Sequence, residues 1–545
     1  MTNCFSVEGK LIDIEIGEIY PAEVKVGDGK IISIRKIQHN DQMPYILPGF
    51  IDAHVHVESS MLVPSEFARL AVVHGTVATI SDPHEIANVC GMEGVNYMIE
   101  NGQKVPFKFY FGAPSCVPAT PFETAGGEIT AADINKLLER KEIVYLAEMM
   151  NWPGTVNRDP LVMEKIALAK KYGKPVDGHA PGLMGEVAAK YASAGITTDH
   201  ECFTKEEALD KIQLGMKIAI REGSAAKNFE ALIDLIDDYP EMIMFCSDDK
   251  HPDNLAVSHI NELVARALKK GKDLFDVLRA ACITPVEHYR LDVGTLRIGD
   301  PADFIVSEDI VDFKIKETYI NGKLVSSNGK TLINRVENKI INNFNASEKS
   351  HDEFSVKSNG ERVRVIEALD GQLITPAVEG EIILNDGFAE SNVEADILKI
   401  TVVNRYENAA PAVAFIKNFG IKSGAIASSV GHDSHNIIAV GVDDQSIAKA
   451  VNLLIKEKGG VAAVDNGEEM VLALPIGGIM SADDGYEVAK AYTKIDQMAK
   501  AMGSKLQSPF MTLSFMALLV IPDLKLSDKG LFDGQKFEFV DVFLG

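Results

Sequence analysis

The stretch that decides the fold is Pro48-Gly-Phe-Ile-Asp-Ala-His-Val-His-Val-Glu58. Apolar and polar residues alternate along it from Ile51 onward, a pattern typical of a β-strand. Side chains two positions apart on a strand point to the same face, so His54 and His56 would project together. Two neighbouring imidazoles can hold one metal ion. A lone His-x-His is more often incidental, so the rest of the chain has to decide.

The segment that begins with this stretch alternates between strand and helix patterns. Eight strands separated by helices over about 250 residues predict a (β/α)₈ barrel. An open, doubly wound sheet is the competing prediction, but no Gly-x-Gly-x-x-Gly loop follows an early strand. The predicted strands cover residues 50–56, 76–82, 107–111, 143–149, 174–179, 197–201, 216–220 and 242–247, and the predicted helices cover 64–74, 160–172, 184–194 and 227–238.

Two β-rich pieces flank the barrel, which we place at residues 48–289. Residues 1–47 and 290–345 each contain a few short strand patterns joined by glycine turns. Neither piece has enough strands for independent stability, so we expect one small sheet domain made from both. Two independent hairpins are the alternative.

A polar link at residues 327–355 precedes a further α/β region, and we assign residues 346–545 to this C-terminal domain. Strands are predicted at 396–403 and 436–442, and helices at 410–419, 445–458 and 486–502. The apolar run at 510–522 is too short to span a bilayer, so it is expected to be core.

Composition excludes several classes of function. The net charge of −25 argues against binding to nucleic acid or to anionic membranes. No signal-peptide pattern is visible at the N-terminus. None of the six cysteines forms a Cys-x-x-Cys pair, so we expect reduced thiols and a cytoplasmic setting.

Ionisable side chains cluster at the carboxyl ends of the predicted strands, where such barrels carry their chemistry. Each histidine alone is readily explained as structural, but a random placement of 13 histidines would not give this shared position. Two divalent ions held there would share a bridging hydroxide with a lowered pKa, which is chemistry for C–N bond hydrolysis. Glu148 could bridge the ions, and Asp248 could take and return the proton. The clustered residues are His54, His56, Asp82, His84, Glu85, Glu148, His179, His200, Asp248 and His251.

The opening stretch resembles the signature of the amidohydrolase superfamily, and the later histidines and Asp248 follow its pattern in order. A closer resemblance, over essentially the whole chain, is to the bacterial adenine deaminase family. The strings that carry it are Val57-Glu-Ser-Ser-Met61, Ser81-Asp-Pro-His-Glu-Ile-Ala-Asn-Val89, Ala147-Glu-Met-Met-Asn151, Ser247-Asp-Asp-Lys-His-Pro252 and Ser429-Val-Gly-His-Asp-Ser-His-Asn436.

This resemblance implies a metal-dependent (β/α)₈ barrel with a composite β-sandwich and an additional C-terminal α/β domain. It implies deamination of adenine to hypoxanthine in purine salvage, by two divalent ions that are Mn²⁺ or, alternatively, Fe²⁺. Many binuclear relatives use a carboxylated lysine on strand 4, whereas adenine deaminases resemble this chain in having a glutamate there. We also expect a homodimer. The implied metal ligands are His54, His56, Glu148, His179, His200 and Asp248.

Other residues near these ligands are predicted to bind the substrate or to transfer protons. Asp248 and Glu85 are predicted to be catalytic, although Glu85 could equally be a helix-start charge. Asp249, His84 and His251 are predicted to bind the substrate, and Asp249 is the rival of Asp248 as proton shuttle. His432 and His435 receive no role.

Three other functions are weighed against this prediction. Zinc nucleobase deaminases need a Pro-Cys-x-x-Cys motif, which this chain lacks. Another cyclic-amide or deacetylating amidohydrolase is the next alternative, and the missing strand-4 lysine argues against a hydantoinase-like hydrolase of cyclic amides. A catalytically silent barrel scaffold is disfavoured because the ligand set is intact.

Overall fold

A computed structural model describes residues 4–38, 40 and 42–544. The chain begins with a meander in which the first strand pairs antiparallel with the second along its whole length, and the second with the third. Asp28 and Gly29 turn the second hairpin with φ values of 50° and 78°, the left-handed conformation that a two-residue turn requires. The strands are β1 Cys4–Asp13, β2 Glu18–Gly27, β3 Lys30–Lys36 and β4 Tyr45–Pro48.

Eight parallel strands follow and curl into a barrel, which confirms the predicted fold class. Strands pair in sequence order from β5 to β9 and from β10 to β12. The Asp248 N–H donates to the His54 carbonyl at 2.9 Å and so joins the last strand to the first. The strands are β5 Phe50–Val55, β6 Thr76–Ser81, β7 Lys108–Ala113, β8 Ile143–Met149, β9 Val176–Gly178, β10 Thr198–Asp199, β11 Lys217–Arg221 and β12 Ile243–Cys246.

Helices surround these strands. Helix α5 shows the local signals, since Asp159 caps the N–H groups of Leu161 and Val162 and Pro160 takes the first helical position. The long helix α2 was not predicted because Gly91, at φ 57°, interrupts its helical pattern. The helices are α1 Pro64–Ala71, α2 His84–Gly102, α3 Ala131–Leu138, α4 Trp152–Val156, α5 Pro160–Lys171, α6 Gly185–Ser193, α7 Lys205–Gln213, α8 Phe229–Leu232, α9 Pro252–Val257, α10 Ile260–Lys269, α11 Leu274–Leu278 and α12 Thr284–Tyr289.

The chain then returns to the first sheet. Strand β13 pairs antiparallel with β4, so the two β-rich pieces form one eight-stranded sheet in the order β16-β15-β14-β13-β4-β1-β2-β3. Apolar residues from both pieces pack in one core cluster. The returning strands are β13 Phe304–Ser307, β14 Ile315–Ile320, β15 Lys323–Ser327 and β16 Lys330–Thr331.

The C-terminal domain is built on a second eight-stranded sheet, in the order β19-β18-β23-β22-β25-β24-β26-β27. Its strands are β17 Val356–Lys357, β18 Arg362–Glu367, β19 Ala377–Glu381, β20 Ile383–Asn385, β21 Phe388–Glu390, β22 Ile397–Val403, β23 Ala412–Lys417, β24 Ala425–Ser428, β25 Ile437–Gly441, β26 Gly460–Asp465, β27 Glu468–Ala473, β28 Leu524–Ser527, β29 Gly530–Asp533 and β30 Glu538–Phe539. Its helices are α13 Asp444–Glu457, α14 Gly485–Ala501 and α15 Pro509–Phe515.

One predicted helix of this domain is wrong. Residues 410–419 contain β23, which pairs with β22 on one side and with β18 on the other. The periodicity of six mostly apolar residues cannot distinguish a buried strand from a helix. Here the pairing with two neighbouring strands determines the conformation. The apolar run at 510–522 is buried, as expected for core. Within the described part of the chain, no helix meets the length and apolarity that a membrane span needs.

Candidate metal centre

The carboxyl ends of the barrel strands bring the six predicted metal ligands into one buried cluster. The structure places two on or after β5, one on β8, and one each just after β9, β10 and β12. None is more than 7% exposed, so water cannot offset their charges. The six are His54, His56, Glu148, His179, His200 and Asp248.

Glu148 lies at the centre of this cluster. Its Oε2 is 2.8 Å from His179 Nδ1 and 3.2 Å from His200 Nε2. Its Oε1 is 3.5 Å from His56 Nε2. The two oxygens therefore face different histidines, which is the arrangement that a carboxylate bridging two cations needs.

A second group of possible metal-donor atoms lies at the end of β5. His54 Nε2 and His56 Nε2 are 3.2 Å apart, and Asp248 Oδ1 lies 3.7 Å and 3.3 Å from them. Donors that share one ion at about 2.1 Å lie roughly 3.0–3.4 Å from one another, so most of these separations fit a common cation. His179 Nε2 and His54 Nδ1 are buried without a hydrogen-bond partner. The donor set thus fits divalent metal ions.

Arg221 and Glu201 complete the cluster and were not predicted. The Arg221 guanidinium donates to Asp248 Oδ2 at 2.7 Å and to Glu201 Oε2 at 2.9 Å. Burial would raise the pKa of Asp248, but Arg221 and the nearby histidines hold it well below its usual value. The sequence contained a signal, since Arg221 is a charged residue at the carboxyl end of β11 and follows three apolar residues.

Asp52, from the stretch that opens the barrel, fixes β5 against β12. It accepts hydrogen bonds from the Ser247 N–H at 2.9 Å and from the Ser247 hydroxyl. Its Oδ2 is also 2.8 Å from His259 Nε2, and His259 Nδ1 is 2.7 Å from the Thr76 hydroxyl. This buried network sets the spacing between the strands that carry His54 and Asp248.

The residues predicted to bind the substrate and to transfer protons include His84, Glu85 and Asp249, which line a cavity beside the cluster. His84 Nδ1 is 3.0 Å from Asp82 Oδ2, and His84 Nε2 is 3.5 Å from Glu85 Oε1. Burial would lower the pKa of His84, but these carboxylates raise it well above its usual value. Asp249 accepts a hydrogen bond from the Ser59 hydroxyl at 2.5 Å. Burial and the adjacent negative charge raise the pKa of Asp249.

His251 lies apart from this group. Its ring packs edge-on against Tyr492 at 4.7 Å between centroids, and it does not line the cavity beside the cluster. Its role in substrate binding stays a prediction.

The cavity beside the cluster is covered by the C-terminal domain. Met150 comes from the barrel, whereas Leu373, Phe515 and Leu518 form an apolar wall opposite the ligands. The free volume is about 20 Å³, room for a single water molecule. A flat ring can therefore enter only if these side chains move apart.

We expect Glu123→Gln to stabilise the protein more at pH 8.5 than at pH 5.5. Burial, with the negative charge of Asp433, raises the pKa of Glu123 to about 8. The unfolded carboxyl ionises near its usual 4.5, so the native state binds more protons between these values and stability falls as pH rises. Melting temperatures of both proteins at the two pH values check this. An equal difference in melting temperature between the two proteins at both pH values would contradict this expectation.

Comparison with known proteins gives two matching family models. The amidohydrolase family matches residues 45–325, and the adenine deaminase C-terminal domain matches residues 372–538. An adenine deaminase of Salinibacter ruber is 55% identical over 100% of both chains. One of Sulfurovum sp. is 57% identical over 98% of this chain and 99% of its own. One of Borreliella burgdorferi is 52% identical over 98% of this chain and 99% of its own.

Proposed function

The chain belongs to the adenine deaminase family of the amidohydrolases, and we propose that it hydrolyses adenine to hypoxanthine and ammonia at a centre of two divalent metal ions. The observation that carries this proposal is the buried Glu148, whose two oxygens face different histidines. Amidohydrolases are metal-dependent, and this cluster has the donor atoms for divalent ions. Purine salvage is the metabolic setting that we propose.

The donor chemistry is compatible with the ions that the family resemblance implies. The six ligands that we propose are four imidazoles and two carboxylates, with no thiolate. Mixed nitrogen and oxygen donors suit Mn²⁺ and Fe²⁺, and we propose Mn²⁺ as the activating ion and Fe²⁺ as the alternative.

Asp248 is proposed as the proton shuttle. Bound divalent ions would supply Lewis-acid chemistry, which lowers the pKa of a water molecule towards neutrality. Asp248 Oδ1 faces the His54/His56 side of the cluster, while Arg221 holds Oδ2. The carboxylate is ionised, so it can accept the proton that the attacking water loses. It then returns that proton to the leaving amine, and C–N cleavage releases ammonia.

The other polar groups around the cavity are proposed to recognise the base. Asp249 and Glu85 line the cavity, and His84, whose pKa is raised well above its usual value, lies beside Glu85. A purine ring offers acceptor nitrogens next to its exocyclic amine, and these groups can donate to or accept from that edge. Met150 of the barrel and Phe515 of the apolar wall would contact the ring faces.

Purified protein loaded with Mn²⁺ and tested on a panel of purines examines this proposal. We expect ammonia and hypoxanthine from adenine, little ammonia from guanine, and no ring opening of the cyclic amide hydantoin. Conversion of hydantoin to N-carbamoylglycine instead would favour a cyclic-amide hydrolase, and no reaction with any compound would favour a silent scaffold. A homodimer and a cytoplasmic location stay predictions, which light scattering and cell fractionation would check.

A further inference from the structure

Glu85 of the barrel is held by two histidines of the C-terminal domain. His432 Nδ1 is 2.5 Å from Glu85 Oε1, and His435 Nε2 contacts Glu85 Oε2. The three side chains are 1–2% exposed. Each carboxylate oxygen therefore has its own imidazole partner, in a place where an unpaired charge would be costly.

The loop that carries these histidines is itself firmly held. It connects β24 to β25, and Arg405 from the end of β22 reaches it. The buried Arg405 guanidinium donates to the His435 carbonyl at 3.2 Å and to the Gly477 carbonyl at 2.8 Å. The His432 ring stacks on Phe515 with centroids 4.8 Å apart. Both imidazoles thus have little freedom to turn away from Glu85.

We infer that the C-terminal domain completes the catalytic site, with His432 and His435 as positioning residues that orient the Glu85 carboxylate towards His84 and the cavity. The inference rests on the proposed deamination, in which Glu85 contacts the base. The orientation is specific, because Oε1 accepts from His432 and also lies 3.5 Å from His84 Nε2. Burial would raise the pKa of Glu85, but its interactions with His432, His435 and His84 lower it well below its usual value.

A third metal ion is the competing explanation for this trio, since its atoms lie close enough to share one. Ligands of one ion are roughly 3.0–3.4 Å apart. The separation of 2.5 Å between His432 Nδ1 and Glu85 Oε1 is no wider than a direct hydrogen bond, and it is shorter than every donor separation given above for the metal cluster, of which the shortest is 2.8 Å. The geometry therefore favours hydrogen bonds over a shared ion.

Matched substitutions test the inference in the Mn²⁺-loaded full chain. His432→Leu and His435→Leu remove a donor to a charged group, and each is expected to lower kcat for adenine by about 10- to 100-fold. His432→Asn and His435→Gln keep an amide donor in place of Nδ1 and Nε2, so they should retain most of the activity. His351→Leu, at an exposed histidine of the same domain, should behave as wild type.

A double-mutant cycle separates positioning from general structural damage. If His435 acts through Glu85, His435→Leu should cost little further activity in a Glu85→Gln background. Metal content should stay at the wild-type value in both leucine variants. Equal losses in both backgrounds, or the loss of one ion per chain in the leucine variants, would overturn the inference.

Infrared difference spectra recorded without substrate make the inference testable independently of deamination. Wild type minus Glu85→Gln isolates the Glu85 band, which we expect to be that of an ionised carboxylate and to shift in His435→Leu protein. A protonated carboxyl band, or a band that does not shift, would overturn the inference. Failure of wild type to deaminate adenine would instead count against the proposed function, with the infrared band still deciding the role of the histidines.

Discussion

Asp248→Asn is expected to lower kcat for adenine by about 10²- to 10⁴-fold while the protein keeps its metal ions, because proton transfer typically contributes that much. Asparagine retains an oxygen that can face His54 and His56, but it cannot accept the proton of the attacking water. The amide NH2 would then lie where Asp248 Oδ2 accepts from Arg221, and Arg221 would keep Glu201 as its carboxylate partner. Steady-state kinetics and metal analysis of the same preparation measure the two effects separately.

Asp249→Asn is the matched comparison, because Asp249 is the neighbouring buried carboxyl and the rival for this role. The Asp249 carboxylate accepts a hydrogen bond from the Ser59 hydroxyl rather than from Arg221, and an asparagine oxygen can keep that hydrogen bond. We expect a higher KM for adenine and a smaller loss of kcat. Near-normal turnover of Asp248→Asn with an inactive Asp249→Asn would show that the shuttle has been assigned to the wrong aspartate.

Glu148→Ala is expected to abolish adenine turnover and to lower metal affinity by more than about 100-fold, beyond the 10- to 100-fold cost typical of groups that only support a ligand. The substitution removes both oxygens that face the histidines at once. Isothermal titration with Mn²⁺ and metal analysis after dialysis measure the loss.

Glu142→Ala is the control for Glu148→Ala, since Glu142 directly precedes the same strand and its side chain is 38% exposed. It should bind metal and turn over adenine as wild type does. A Glu148→Ala protein that retains a full complement of ions and near-normal turnover would contradict the central position given to Glu148.

The barrel could be predicted from sequence because its strands are short, apolar and separated by clear helix ends. Helix α2 could not, since Gly91 breaks the pattern although the chain continues as a helix beyond it. Strand β23 was mistaken for a helix because its partners β18 and β22 decide its conformation, and pairing between distant segments leaves little trace in a local pattern.

The cluster of ligands could be predicted for a geometric reason, since parallel strands of one barrel end at the same edge. Arg221 also lies at that edge, but a guanidinium cannot bind a metal cation, so a pattern of metal donors does not include it. The residues of the C-terminal domain that cover the site could not be predicted in this way. His432 is 347 positions from Glu85, and only the packing of the C-terminal domain over the barrel brings them together.

The most direct test of the two-ion deamination is a titration of metal-free protein with Mn²⁺, with adenine turnover followed against ions bound. Turnover should rise to its maximum at two Mn²⁺ per chain, and hypoxanthine and ammonia should appear in equal amounts. Full turnover with one ion bound, turnover that persists in excess chelator, or none after two ions are bound would contradict the account.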